Sequence, residues 1–219
     1  MTPVEFFGKW SEVIPFSELS LALNAVERDM KSHKIVPSQN NTFNAFLKCP
    51  YDFLRVVFVG DCPYCLPNKA TGLLFGTSKE DTSITEQVLF NAVDTYCSYD
   101  LPFNNIDLIF PTLEMWASQG VLLLNSALTT REGVENSHNA IWHNFTKSLV
   151  ENLVERKKDV IFALLGEKTD YLEKVIPSDR LVKSHSPAYC YKHQIEFPNI
   201  FKQIDDYHLS KNIPLIYWI

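Results

Sequence analysis

Five consecutive residues carry most of the chemistry legible in this chain. Asp61-Cys62-Pro63-Tyr64-Cys65 follow the apolar run LRVVFVG at 54–60. As a C-x-x-C pair, Cys62 and Cys65 would perform thiol–disulfide exchange, which needs a thiolate of lowered pKa at a helix N-terminus. As a polar loop, the same stretch presents the Asp61 carboxylate, which can stabilise developing positive charge or accept a proton. Three other polar groups follow apolar runs in the same way: Asn125 after GVLLL, Gly166-Glu167 after DVIFALL, and Ser184-His185 after RLVK. An amide offers a donor and an acceptor together, and a histidine can donate to an oxygen that gains charge. The remaining cysteines do not complete a metal set, because Cys97 falls late in a predicted helix and Cys190 in a predicted loop, away from ligand spacing. No metal and no cofactor is expected. Pro67 and Gly72 close behind the C-x-x-C pair also argue against a redox helix.

The runs that precede these groups read as strands. LRVVFVG (54–60), GVLLLN (120–125), DVIFALLG (159–166) and RLVKSH (180–185) are short, apolar or β-branched, and end on glycine or a polar residue. Continuous apolar runs mark strands covered on both faces, as in a parallel sheet. Helical patterns lie between them. In 139–157, Ile141, Trp142, Phe145, Leu149, Leu153 and Val154 recur at helical spacing. In 83–97, Ser83 is placed to cap the helix, with Glu86 three residues on. Residues 1–50 read as mostly helical, and no linker divides 1–219. The expected fold is a single α/β domain with a central four-stranded parallel twisted sheet flanked by helices. Such sheets bind ligands in the crevice past the strands' C-terminal ends, where Asp61, Asn125, Gly166 and His185 would gather.

With 46% hydrophobic and 21% charged residues in 219, the chain can bury a core without staples. A net charge of -6 argues against a broad nucleic-acid coat but leaves room for a small site resting on a few phosphate contacts. No run is long and apolar enough to span a bilayer, and the start lacks a secretory pattern. Five cysteines, an odd count, fit a reducing intracellular compartment. A monomer is expected.

Several stretches carry a family resemblance. WASQGVLLLNSALTTREGVENSH (116–138) and its continuation through 166 look like the asparagine-bearing strand and following segment of uracil-DNA glycosylases. PSQNNTFNAF is similar to that family's approach to its catalytic loop, GLLF at 72–75 resembles GLAF, SHSPAYCYKH resembles the HPSPLS loop, and IPLIYWI resembles the family ending. The likeness runs in order over nearly the whole chain. It implies a DNA glycosylase that flips uracil, or a modified pyrimidine, out of DNA and hydrolyses its N-glycosidic bond. By the same resemblance Phe75 would stack on the base, Asn125 would read its edge and Tyr64 would crowd its C5 position. DNA would be held by Ser83, Gly166, Ser184 and Ser186, with Lys183 nearby. Ala188 falls where the family inserts a leucine into the duplex, and Tyr189 could replace that wedge.

The catalytic loop departs from the family's G-Q-D-P-Y-H. Cys62 stands in the place of the aspartate, Asp61 in that of the glutamine, and Cys65 in that of the histidine. One reading gives the carboxylate role to Asp61, as in superfamily branches with a G-E-A-P-G loop. A second makes the protein a weak or inactive DNA-binding module. A third reshapes the pocket, through Cys62 and Cys65, for a C5-substituted pyrimidine. In the histidine loop, strict register puts Ser184 on the family's histidine. Deleting the following proline puts His185 there, and this alignment is preferred because the strand then ends at the functional group. Asp61 and His185 are thus the expected catalytic pair. A dithiol oxidoreductase remains the reading of another class.

Overall fold

The computed structural model describes residues 2–66, 69–77, 83–97 and 110–218. In chain order the elements are α1 (Pro3–Phe7), α2 (Phe16–Met30), β1 (Ile35–Val36), α3 (Asn44–Lys48), β2 (Val56–Gly60), α4 (Ile84–Cys97) and α5 (Phe110–Ser118). Then come β3 (Val121–Asn125), β4 (Thr130–Arg131), α6 (Asn139–Arg156), β5 (Ile161–Leu165), β6 (Leu181–Ser184), α7 (Pro187–His193) and α8 (Ile200–Ser210). Short 3-10 turns at Gly8–Glu12, Tyr51–Phe53, Glu167–Lys174 and Ser178–Arg180 join them. The expected α/β domain is observed: a four-stranded sheet ordered β3-β2-β5-β6, every pairing parallel.

Burial explains why these runs are strands. All residues of β2, β3 and β5 are buried, so each offers apolar side chains to layers on both faces. One covering face is α6, which buries Trp142, Phe145, Leu149, Val150 and Leu153, close to the expected stripe. On another, Phe58, Trp116, Phe201 and Trp218 form an aromatic cluster. The Phe58 and Trp218 rings stack 6.1 Å apart, and Trp116 Nε1 donates to the Trp218 carbonyl at 2.9 Å, which fastens the C-terminal segment to the sheet.

Register decides what the sheet displays. Gly60 pairs with Asn125 on one side and with Leu165 on the other, and Leu165 pairs with Ser184. Asn125, Gly60, Leu165 and Ser184 therefore form one row across the C-terminal edge, and the residues after them emerge together. The strand expected to run to His185 stops one residue earlier, at Ser184.

A second, two-stranded antiparallel sheet pairs β1 with β4. Beside it, Asp29 of α2 accepts from Arg131 Nε and Nη2, both at 2.7 Å, and lies 3.0 Å from His138 Nε2. His138 Nδ1 in turn meets Thr129 Oγ1 at 2.8 Å. One carboxylate on an N-terminal helix thus grips both ends of the segment from Arg131 to His138, and Arg131 and His138 hold its carboxyl well below the usual range.

Candidate active site

The loop after β2 leaves Gly60 under tight backbone control. Ser126 N donates to the Gly60 carbonyl at 2.7 Å and Ala127 N to the Asp61 carbonyl at 3.2 Å, while Ser126 Oγ donates to that same carbonyl at 2.7 Å. With its carbonyl committed to the β3 side, Asp61 sends its side chain toward the end of β5. There Oδ1 accepts the Lys168 N–H at 3.1 Å. The carboxyl lies against Gly166, where a Cβ would come within 2.4 Å of Oδ1. Gly166 adopts φ 124°, ψ 155°, a region reserved for glycine. Among the described residues Asp61 has no ion-pair partner. Desolvation pushes its pKa up to about 6, and the Lys168 amide partly opposes this. The group is mostly ionised at neutral pH, yet basic enough to take a proton.

A cavity of about 190 Å³ opens beside this loop, lined among others by Asp61, Cys62, Tyr64, Phe75, Glu135 and Ser186. It is smaller than the roughly 300 Å³ that drug-sized ligands occupy and suits a single ring. Phe75 is held at φ 64° and is only 8% exposed. A bulky residue at positive φ is a strain that persists where surrounding structure fixes it, commonly at functional sites. Tyr64 OH donates to Ser83 Oγ at 2.6 Å, which holds the phenol at the cavity wall, and burial raises its pKa.

Ser83 itself is committed locally. Its Oγ accepts from Glu86 N at 3.1 Å, and Ser83 N donates to Glu86 Oε2 at 2.9 Å, the expected capping box. Glu86 also accepts from Thr77 Oγ1 at 2.9 Å, so a buried carboxylate joins Thr77 to the start of α4. Asn125 sits at the end of β3, 3% exposed, and its Oδ1 has no hydrogen-bond partner among the described residues. Leaving a buried acceptor unpaired costs about 1–3 kcal/mol, a cost that a bound donor would remove.

No family model matches the chain. Curated relatives do. A uracil-DNA glycosylase of Bacillus mycoides (strain KBAB4) is 35% identical over 171 residues, covering 75% of this chain and 72% of the relative. One from Coxiella burnetii (strain RSA 493 / Nine Mile phase I) is 33% identical over 171 residues, covering 76% and 72%. This chain belongs to the uracil-DNA glycosylase family. The fold agrees. The crystal structure of mimivirus uracil-DNA glycosylase matches with a TM-score of 0.74 at 19% identity, over 100% of this chain and 93% of that one. The UNG structure from Nitratifractor salsuginis matches at 0.57, 20% identical, over 85% and 90%.

Within this uracil-DNA glycosylase fold the expected residues divide between two openings. Asp61, Cys62, Tyr64, Phe75, Ser186 and Ala188 line the small cavity. Gly166, Lys183, Ser184 and His185 line an adjoining cleft of about 790 Å³. Asn125, Ser83, Cys65 and Tyr189 line neither. His185 is exposed and stacks on Tyr189 with ring centroids 4.4 Å apart. Tyr189 stacks in turn on His193 at 4.1 Å, a ladder along α7. Ser184 Oγ donates to the His185 carbonyl at 2.8 Å. Ser186 caps α7 by accepting from Tyr189 N at 3.2 Å. Lys183 is engaged by Glu173 and, at 3.4 Å, by Asp170, so its charge is largely spent within the protein.

Cys62 does not resemble an exchange thiol. Burial pushes Cys62 up to about 11, the reverse of what exchange chemistry needs, and Cys62 and Cys65 are both free. Cys190, expected in a loop, lies buried within α7. The side chain of Cys97 lies outside the described residues. Among the described residues no helix is long and apolar enough to cross a membrane. Sequence reasoning missed Glu135 and Asn136, which line the cavity; the only signal was a turn-rich GVEN after a strand.

Proposed function

We propose that this protein is a DNA glycosylase that excises uracil by hydrolysis of its N-glycosidic bond. The observation that carries this reading is the Asp61 carboxyl, unpaired by any cation among the described residues and lining the same small cavity as Phe75 and Tyr64. As the bond breaks, positive charge grows on the deoxyribose and negative charge on the base. A fixed carboxylate at the cavity wall stabilises the former selectively in the transition state. Phe75 serves as the stacking platform and Asn125 reads the base edge through its unpaired amide oxygen. Tyr64, anchored by Ser83, keeps the C5 gate, which favours uracil over C5-extended pyrimidines.

DNA enters along the rim formed by Ser186, Ala188, Gly166 and Lys168, with Tyr189 as the wedge. We place His185 with this rim rather than at the base oxygen, because its ring lines the neighbouring cleft and stacks on Tyr189. The substitution of the family's catalytic aspartate by Cys62 favours a slow enzyme, and a binding module that releases no base is its limiting case. The test incubates the protein with duplexes carrying uracil or 5-hydroxymethyluracil and cleaves abasic sites with alkali. Release of uracil, lost in Asp61→Asn, is the expected result. Tight binding without release of either base would replace the enzyme with the binding module, and preferential release of 5-hydroxymethyluracil would overturn the Tyr64 gate.

A further inference from the structure

The cavity has a second carboxylate in its lining, Glu135. Glu135 lies on the segment between β4 and α6, and that segment is docked onto the catalytic loop on both sides of it. Gly133 N donates to the Cys65 carbonyl at 2.7 Å, and the Asn136 backbone N–H lies beside the Cys62 sulfur. Asn136 turns the chain at φ 60°, and Arg131 and His138 hold the two ends through Asp29. The result is an acid close enough to Cys62 to act on its thiol electrostatically, lining the same cavity as Asp61. Glu135 is exposed and has no ion-pair partner among the described residues.

Hydrolysis asks for two kinds of help. One is an ionised group facing the sugar. The other is an acceptor for the proton that water loses. Asp61 is pinned to Lys168 N and Gly166 on the β5 side. Cys62, held as a neutral thiol by burial and by two acidic neighbours, supplies neither.

We propose that Glu135 is a second catalytic carboxylate, which accepts the proton of the attacking water while Asp61 faces the sugar. This rests on the glycosylase reading above. In the step, the bond between C1′ and the base nitrogen breaks and its electron pair leaves with the base. The water oxygen bonds to C1′, and one water proton passes to Glu135 and then to solvent. The base anion takes a proton from solvent, so charge and atoms balance.

A surface acid with no such role would repel phosphates, and its neutralisation would strengthen both binding and turnover. Glu135→Gln in the full chain therefore separates the two cases. The expected result is a fall of about 100-fold in single-turnover uracil release, with restoration to within a few-fold by adding Cys62→Asp, which returns a carboxylate to the cavity wall. A second readout needs no turnover. Affinity is measured for a duplex bearing a cationic pyrrolidine abasic analogue and for the same duplex bearing a neutral tetrahydrofuran. Glu135→Gln should lower the preference for the cationic analogue about 10-fold and leave the neutral affinity unchanged or raised. Unchanged or faster release together with an unchanged preference would overturn the proposal. A parent protein that releases no base would overturn the glycosylase reading instead, and the analogue preference would still decide whether Glu135 faces the cationic centre.

Discussion

Replacing Gly166 by alanine tests whether the seat of the Asp61 carboxyl sets the reaction rate. A Cβ at Gly166 would stand 2.4 Å from Asp61 Oδ1 and 2.7 Å from Oδ2, where ordinary contact begins at 3.4 Å. The carboxyl must retreat by about 1 Å, and misplacement on that scale costs roughly 100-fold in rate. The backbone angles of Gly166 add about 1–3 kcal/mol of strain for any other residue, so stability falls by that order as well. Single-turnover release of uracil from a defined duplex reads the chemical step without product release, and urea unfolding reads the strain. If the rate loss acts through the carboxyl, Gly166→Ala should add no more than about three-fold to the loss already caused by Asp61→Asn, because two changes in one interaction do not add. A folded Gly166→Ala protein with the parent's rate would refute the reasoning. So would a full 100-fold further loss in the Asp61→Asn background.

Release should rise as pH increases through about 6, where Asp61 ionises in the fold, and a profile without that limb would remove Asp61 from the reaction. The same group links to stability with the opposite sign. Its folded pKa lies above its unfolded value of 3.8, so its cost to the fold sets in above pH 4 and is complete above pH 6. Asp61→Asn should therefore raise the melting temperature at pH 8 more than at pH 4. Cys62→Ser should leave base release within about three-fold of the parent, since the thiol is neutral and only partly exposed; loss of activity reversible by oxidant or reductant would restore the dithiol reading. Tyr189→Ala should weaken binding to a uracil duplex by about 1–3 kcal/mol through lost stacking, and an unchanged titration would show that the α7 ladder does not touch DNA.

Much of the fold is written locally. Strands buried on both faces read as unbroken apolar runs, and Ser83 with Glu86 announces the start of α4. The gathering of Asp61, Asn125, Gly166 and Ser184 at one edge follows from strand ends alone. What stayed hidden depends on single-residue register or on distant partners. Whether β6 stops at Ser184 or at His185 turns on a single residue, and sequence places strand ends only to within a residue or two. Lys183 reads as a free cation until Glu173 and Asp170 meet it on one face. Glu135 has no periodic signature at all, because its place is set by the backbone bond from Gly133 to a loop some seventy residues earlier.

The grip of Asp29 on Arg131 and His138 has a practical corollary. The wall of the cavity hangs from the second helix of the chain, although that helix contributes no atom to the cavity's lining. A shortened protein that began at Arg55 would keep every strand of the main sheet and lose the anchor of its own reaction chamber. Trimming the front of this molecule is therefore a change to its chemistry, and a minimal fragment should be sought by cutting elsewhere.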